Sequence, residues 1–265
     1  NAFPRTDMEL HGISYFDDYN FDWNYATELS NPESANAFGQ TKTTSTKTLA
    51  TGSKTRVLGT NDWIVGYVVY DYKRRPIYAA GYNKYLDSKD VSKTKLDFVG
   101  RVQETETQHT KGSAPVITLR DYFTYDAQSR LVRQEHQINN QDREVIVDNT
   151  YDALGLLSRK NVGGKTTDGN GLQQVDYAYN IRGWMQSING NMIDNPTANT
   201  LDLFGFKINY DQKTLSGDGA LYNGNISETL WRTANSDTGI KAYEYSYDAL
   251  NRLEEASFAT KDVGQ

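Results

Sequence analysis

The feature that most constrains the fold of this chain is a short phrase, tyrosine followed by aspartate or asparagine, that occurs five times. The copies are Tyr70-Asp71, Tyr125-Asp126, Tyr151-Asp152, Tyr179-Asn180 and Tyr247-Asp248. The second and third copies are 26 residues apart, and the third and fourth are 28 residues apart. Such a period is typical of proteins in which each unit buries its apolar face against its neighbours. The phrase therefore predicts architecture rather than chemistry.

Each phrase predicts the turn of a β-hairpin. An aspartate such as Asp248 opens a turn because its side chain accepts a hydrogen bond from the backbone two residues further on. The fourth position of the turn is expected to be left-handed, which Gly155, Gly183 and Asn251 adopt at low cost. Arg74 and Ser129 fit that position poorly, so two of the turns are expected to be of another type.

The residues that flank the turn predict its packing. Tyr245 and Tyr247 lie two apart, so their rings share one face of a strand and are expected to stack on rings of adjacent strands. Arg252 follows the turn and is expected to cover neighbouring rings or to pair with the turn carboxylate. The tyrosines of the later copies, Tyr151, Tyr179 and Tyr247, are expected to be largely buried.

The composition favours thin walls that contact water. Hydrophobic residues make up 37% of the 265 residues, and the mean hydropathy is −0.72. Much of the apolar area comes from 19 tyrosines, 9 phenylalanines and 4 tryptophans. Tyrosine buries its ring while its hydroxyl stays with water or a polar partner. This balance indicates a curved sheet rather than a thick sandwich.

Charge and cysteine content narrow the classes of partner. The net charge is −6 with scattered basic residues, which is unlike a nucleic-acid-binding protein. No apolar run approaches the roughly 18 residues of a membrane span. Without cysteine there are no disulfides and no zinc-thiolate sites. Because the chain begins with Asn1, we expect it to be a piece of a longer protein.

Most of the chain is predicted to be strands joined by turns, with little helix. Residues 14–25 alternate between aromatic and polar, which predicts a strand. Residues 26–40 are predicted to form a loop, and residues 41–58 a solvated strand or an exposed arm. Residues 63–70 are the most strand-like run, and residues 187–202 are predicted to be an extended loop.

Several longer phrases accompany the repeats. They are Leu58 to Ile64, Tyr70 to Ile77, Thr94 to Phe98, Tyr179 to Trp184, Leu203 to Phe206, Asn223 to Ser227 and Tyr247 to Leu253. With them the chain resembles the YD-repeat or rearrangement-hotspot (RHS) family, most closely the long RHS proteins of Bacteroidota bacteria. The resemblance covers about residues 58–258. Residues 1–57 are predicted to be lead-in strands and loops, and residues 58–265 a shell segment in the same continuous sheet.

The resemblance implies an all-β fold of antiparallel hairpins that builds part of a hollow shell. In this family the shell encloses a C-terminal cargo, often a toxin, and in teneurins it is part of a cell-surface receptor. The family's self-cleaving C-terminal core is expected to lie beyond this chain, so no protease residue is carried over. The implied partners are the rest of the same chain, its cargo and the secretion machinery. The implied location is secreted or cell-surface.

A calcium loop is one alternative at the start of the chain. Asp18, Asn20, Asp22 and Asn24 place oxygens at the spacing of its first four ligands. However, Trp23 stands where that loop requires glycine, so the polar face of a strand is the favoured interpretation.

Other candidate sites lack a supporting pattern. His11, His109 and His136 have no histidine or cysteine at metal-ligand spacing, and Glu254-Glu255 has no signature of a glycosidase pair. Residues 163–166 resemble the end of a phosphate loop but are predicted to form a hairpin turn. We therefore expect no catalytic residues, no cofactor and no metal.

The sequence thus predicts a non-catalytic wall segment of a secreted shell that encloses and delivers a C-terminal toxin or effector. Exposed aromatic rings on a sheet also bind sugars, so a cell-surface adhesion or glycan-binding module is the alternative. Ring stacking between repeats is favoured because the rings recur at the repeat period rather than in one patch.

Overall fold

The fold is all-β. The computed structural model describes residues 9–23, 29–165, 171–197, 201–217, 221–235 and 239–261, of which 54% lie in strands and 3% in helices. The strands are β1 Gly12–Asp17, β2 Thr46–Arg56, β3 Trp63–Tyr70, β4 Pro76–Asn83, β5 Ser88–Leu96, β6 Val102–Lys111, β7 Ile117–Tyr125, β8 Leu131–Ile138, β9 Glu144–Tyr151, β10 Leu157–Val162, β11 Gln173–Tyr179, β12 Met185–Ile188, β13 Phe204–Asn209, β14 Glu228–Thr233, β15 Ile240–Tyr247 and β16 Leu253–Lys261. A 3-10 turn, Pro32–Ser34, and one short helix, α1 Asn191–Asp194, complete the elements.

The strands form one antiparallel sheet in which their order follows the chain, and the sheet is not closed. This confirms the predicted fold of consecutive hairpins in one continuous sheet. The chain divides into two compact units, residues 1–144 and residues 145–265, which are described separately below. The predicted division at residues 57 and 58 stays a prediction.

The first unit has its apolar core on β3 and β4. Val65, Tyr67, Val69 and Ile77 are buried there, and residues 29–37 pack against them through Leu29 and two alanines. The Tyr67 hydroxyl donates to the carbonyl oxygen of Ser30 at 2.8 Å, which fastens this loop over the strand. Burial alternates along β3, so that one of its faces is buried and the other is only partly covered.

Further along the first unit, a polar ladder replaces an apolar core. Glu106 on β6 is buried and accepts from Lys93 Nζ at 2.7 Å on β5 and from Arg120 Nε at 2.8 Å on β7. Desolvation opposes the ionisation of Glu106, but the hydrogen bonds from Lys93 and Arg120 outweigh it and lower its pKa. Cross-strand charge pairs therefore hold β5, β6 and β7 together. Because these strands are polar, they contribute to the low mean hydropathy of the chain.

The second unit has a smaller core. Ile193 on α1 packs with Leu230, Ile240 and Ala242 on β14 and β15. Met192 on the same helical turn is also buried. The prediction that residues 187–202 form an extended loop is wrong at residues 187 and 188, which end β12, and at α1, where burial of Met192 and Ile193 stabilises a turn of helix. Residues 198–200 lie outside the described residues.

The prediction of a strand over residues 14–25 is wrong beyond Asp17. Asp17 adopts a left-handed φ of 77° and β1 ends there. The following chain folds back, so that the rings of Tyr15 and Phe21 stack with centroids 4.4 Å apart. Residues 19, 21 and 23 pack against the core of the first unit. The alternation of aromatic and polar residues here therefore reflects packing against the core, although these residues form no strand. Residues 24–28 lie outside the described residues.

Candidate functional site: the repeated turns

The structural repeat centres on an aspartate that closes its own turn, as Asp71 shows. The Asp71 amide donates to the carbonyl oxygen of Arg75 at 2.9 Å, and the Arg74 amide donates to that of Asp71 at 2.9 Å. Asp71 Oδ1 accepts from the amides of Lys73 and Arg75 at 2.9 and 2.8 Å, and Oδ2 accepts from Arg75 Nε at 2.7 Å. The Asp71 side chain is only 3% exposed. One carboxylate therefore satisfies two turn amides and one guanidinium.

Three further turns repeat this arrangement. In each, one carboxylate oxygen accepts from backbone amides and the other from the arginine four residues later. The ion pairs are Asp97–Arg101, Asp126–Arg130 and Asp248–Arg252. The predicted pairing of the arginine with the turn carboxylate is thus found at Arg252 and at its equivalents.

Two turns keep the backbone geometry without the ion pair. Asp152 accepts from the amides of Leu154 and Leu156 at 2.9 and 2.8 Å. Asn180 accepts from the amides of Arg182 and Trp184 at 2.9 and 3.0 Å. The side-chain oxygen alone is therefore sufficient for the turn, and the arginine adds to it.

The turn centred on Asp97 was missed by the sequence analysis because leucine replaces tyrosine before it. The spacing of aspartate, glycine three residues later and arginine four residues later, as in Asp97, Gly100 and Arg101, is the signal that could have found it. Asp97 shows that the aspartate, rather than the tyrosine, defines the unit.

The fourth position is left-handed in every one of these six turns. The φ angles are 65° at Arg74, 104° at Gly100, 66° at Ser129, 86° at Gly155, 79° at Gly183 and 61° at Asn251. The expectation that Arg74 and Ser129 belong to turns of another type is wrong. Both turns make the full set of aspartate contacts, and these contacts hold a non-glycine residue in a conformation that costs roughly 1–2 kcal/mol.

Every turn sits at the same place in its hairpin. The residue before the aspartate ends a strand, and the next strand begins five residues after the aspartate, so that Tyr70 pairs with Pro76 and Tyr247 with Leu253. A register shift accompanies each of these hairpins. The six turns lie at alternate strand connections, which places them on one edge of the sheet.

Hydrogen bonds lower the pKa of several turn carboxyls. For Asp71, Asp97 and Asp126, desolvation would raise the pKa, but the hydrogen bonds from the arginine side chain and from turn amides together outweigh it. For Asp248 the backbone amide of Arg252 is the largest cause, and it lowers the pKa. These carboxylates are therefore stabilised in their ionised form.

Neighbouring turns in the first unit contact each other. Lys73 Nζ donates to the carbonyl oxygen of Phe98 at 2.7 Å and lies 3.6 Å from the centroid of the Phe98 ring. Arg101 donates to Ser129 Oγ at 3.0 Å, and its guanidinium lies 5.2 Å from the ring centroid of Tyr125. The turns at Asp71 and Asp97 therefore each contact the turn two strands further along.

The repeat tyrosines are partly buried, and two of them bond to the backbone through their hydroxyls. Tyr151, Tyr179 and Tyr247 are half-buried rather than fully buried, so that the prediction that they are largely buried stays a prediction. The Tyr247 hydroxyl donates to the carbonyl oxygen of Ile226 at 2.9 Å, and that of Tyr70 donates to Ala50 at 2.6 Å. Desolvation raises the pKa of both residues. Their hydroxyls thus bond to backbone carbonyl oxygens, while each residue keeps part of its surface exposed.

Two residues of the calcium alternative, Asp18 and Asp22, have other partners, and Asn24 lies outside the described residues. Asp22 accepts from Lys54 Nζ, and from the Tyr15 hydroxyl at 2.7 Å. Asp18 Oδ1 accepts from the Asn20 amide at 2.8 Å. In the part of the chain that the structure describes, no group of three or more histidine, cysteine, aspartate or glutamate side chains could hold a metal ion.

The histidines each lie beside one acid. His109 Nδ1 is 2.7 Å from Asp90, and His136 Nδ1 is 2.9 Å from Asp121.

Among the described helices, none is long and apolar enough to cross a membrane.

Comparison with known proteins finds similar solved structures, two of which are described here. No family model and no curated protein matches the sequence. The structure titled "Crystal Structure of TcdB2-TccC3-TEV" is 12% identical with a TM-score of 0.37, over 78% of this chain and 11% of that chain. The structure titled "Crystal Structure of TcdB2-TccC3-Cdc42" is 12% identical with a TM-score of 0.28, over 83% of this chain and 14% of that chain. The chain thus spans less than a sixth of the length of either.

Proposed function

We propose that this chain is a non-catalytic wall segment of a secreted or surface-displayed RHS/YD-repeat shell, which encloses and delivers a C-terminal toxin or effector of the same longer protein. The observation that carries this proposal is the recurrence of one aspartate-centred turn along one edge of a single antiparallel sheet. A turn that repeats with the same hydrogen bonds extends a sheet by two strands at a time, which is the requirement for building a wall.

The distribution of acidic side chains supports a structural role. The carboxylates of Asp71, Asp97, Asp126 and Asp248 already accept from turn amides and from arginine. A catalytic site needs a nucleophile, an acid or base and a stabilising group within about 3 Å of the reacting atoms. Because the turn aspartates already accept hydrogen bonds from backbone amides, we assign them none of these roles.

Protease protection tests the proposal in the longer protein. A protease added to the folded protein should leave its C-terminal part intact, because the wall shields it. The same C-terminal part produced alone should be digested rapidly. Equal rates of digestion in the two preparations would contradict enclosure.

A further inference from the structure

Asparagine followed by glycine is a pair in which the side-chain amide is readily lost without an enzyme, because glycine has no Cβ atom to hinder its own backbone nitrogen. The chain has three such pairs, Asn170-Gly171, Asn189-Gly190 and Asn223-Gly224. Asn170 lies outside the described residues. The other two pairs are each followed by a further asparagine, so their local sequences match and only their surroundings differ.

The first of the matched pairs is buried and bound across strands. Asn189 is 6% exposed. Its Oδ1 accepts from the Asp176 amide at 2.8 Å on β11, and its Nδ2 donates to the carbonyl oxygen of Phe204 at 2.9 Å at the start of β13. Gly190 caps α1. A reaction at this pair therefore requires local opening of the sheet.

The second pair is exposed, and its side chain folds over the next peptide. Asn223 is exposed in the loop before β14, and its Oδ1 accepts from the Asn225 amide, two residues further on, at 3.1 Å. The ring closed by this bond contains both Asn223 Cγ and the Gly224 nitrogen, so it limits how far these two atoms can separate. In the part of the chain that the structure describes, the Gly224 amide donates no hydrogen bond.

The surroundings of the second pair admit water and favour attack at the side chain. Gly224 and Tyr222 line a cavity of about 260 Å³ beside Trp184, and Tyr222 is 83% exposed. The Asn225 amide donates to the oxygen that becomes negatively charged when Cγ is attacked. A donor already placed at that oxygen stabilises the intermediate.

We propose that Asn223 is a site of spontaneous deamidation. The Gly224 nitrogen loses its proton to hydroxide and attacks Asn223 Cγ. A carbon–nitrogen bond forms, the Cγ–Nδ2 bond breaks, and ammonia leaves with a proton from water, which regenerates hydroxide. Water then opens the resulting succinimide ring. Addition at the Cγ carbonyl leaves aspartate, and addition at the main-chain carbonyl leaves isoaspartate, whose main chain runs through Cγ.

Either product weakens the attachment of this loop to the turn between β15 and β16. Asn251 Oδ1 accepts from the Nδ2 atoms of Asn223 and Asn225, at 2.8 and 3.1 Å. A carboxylate at position 223 cannot donate. If the Asn251 carboxamide turns round to donate to it, the bond from Asn225 is lost instead, so one bond disappears in either orientation. Isoaspartate also lengthens the main chain beside Gly224, where an added Cβ atom would lie 2.9 Å from the Trp184 ring.

This reaction is independent of the proposed wall function, and peptide mapping by mass spectrometry of the incubated chain tests it. Enzymatic methylation distinguishes isoaspartate from aspartate. Asn223 should convert at least about tenfold faster than Asn189, because the opening needed at Asn189 lowers its reactive population by that factor or more. The rate at Asn223 should rise with hydroxide concentration. In urea, where the surroundings are lost, the two rates should become equal.

The matched variant is Asn223→Gln, which keeps the amide but closes the corresponding larger ring much more slowly. Hydrogen exchange of the backbone amides of residues 224–227 should become about fivefold faster in the converted chain, as expected for one lost hydrogen bond. Incubation of Asn223→Gln should leave its exchange unchanged. The proposal would be overturned if Asn223 converts no faster than Asn189 in the folded chain, if the selectivity persists in urea, or if exchange is unaltered after conversion.

Discussion

At the scale of the residue, the turn aspartate combines a capping role with an electrostatic one. Asp71 holds the amides of residues 73 and 75 with one oxygen and the Arg75 guanidinium with the other. Asn180 also accepts from two turn amides, but its neutral side chain forms no ion pair. The chain therefore contains its own comparison between a turn closed by a carboxylate and one closed by an amide.

This comparison predicts the effect of substituting Asp71. In Asp71→Asn the amide oxygen still accepts from the turn but the ion pair is lost, so the free energy of unfolding should fall by about 1–2 kcal/mol. Asp71→Ala also leaves two turn amides and a partly buried guanidinium without their acceptor, and should cost about 3–4 kcal/mol. Urea unfolding measures both values. Equal losses for the two variants would show that the backbone hydrogen bonds contribute nothing.

The lowered pKa values predict how stability depends on pH. A carboxyl whose pKa is lower in the folded chain stabilises the fold fully above its unfolded value, near pH 4, and loses that contribution as pH falls through the folded value. The free energy of unfolding should therefore fall steeply below about pH 4. In Asp71→Asn the decrease should be smaller than in the unaltered chain, because one of the titrating groups is absent. Parallel pH profiles for the two proteins would contradict the assignment.

At the scale of the element, the unit is a hairpin whose fourth turn residue is left-handed. Gly155 has a φ of 86°, and Asn251 takes the equivalent position at 61°. Gly155→Ala should lower the free energy of unfolding by about 1–2 kcal/mol, because a Cβ atom is strained there. Gly155→Asn should cost less, since asparagine tolerates this region. A thermal or urea unfolding series checks the order, and a Gly155→Ala variant as stable as the unaltered chain would refute the strain argument.

The sequence predicts most hairpins because their signals are local. The Tyr-Asp phrases mark five of the six described turns, and the run from residue 63 to residue 70 coincides with β3. The sequence does not reveal the conformations of Arg74 and Ser129, because the aspartate contacts override their intrinsic preference. The fold-back after Asp17 and the helical turn α1 also depend on packing partners distant in sequence, which no local pattern reports.

The cavity beside Trp184 is a further example of this limit. Trp184 is visible in the sequence as part of a repeat phrase, but Tyr210 and Asp211 follow β13 and Tyr222 precedes β14. Only the pairing of β12 with β13 and of β13 with β14 brings these residues together.

At the scale of the whole molecule, stability is spread along the sheet. Buried apolar residues form one cluster on β3 and β4 and a smaller one around α1. Polar strands such as β6 and β7 are held together by cross-strand ion pairs, for example Glu106–Arg120. Proteins of this kind depend on interactions between neighbouring units. This is the behaviour of a wall that is extended by repetition, and it is consistent with the function proposed above.

The most direct test of the central claim is a single-particle electron-microscopy structure of the longer protein that contains this chain. We predict that the strands β1 to β16 form part of a continuous wall, with one sheet face towards solvent and the other towards a cavity that holds density for the C-terminal part. A structure in which both faces of this sheet contact bulk solvent, with the C-terminal part folded outside, would contradict the account.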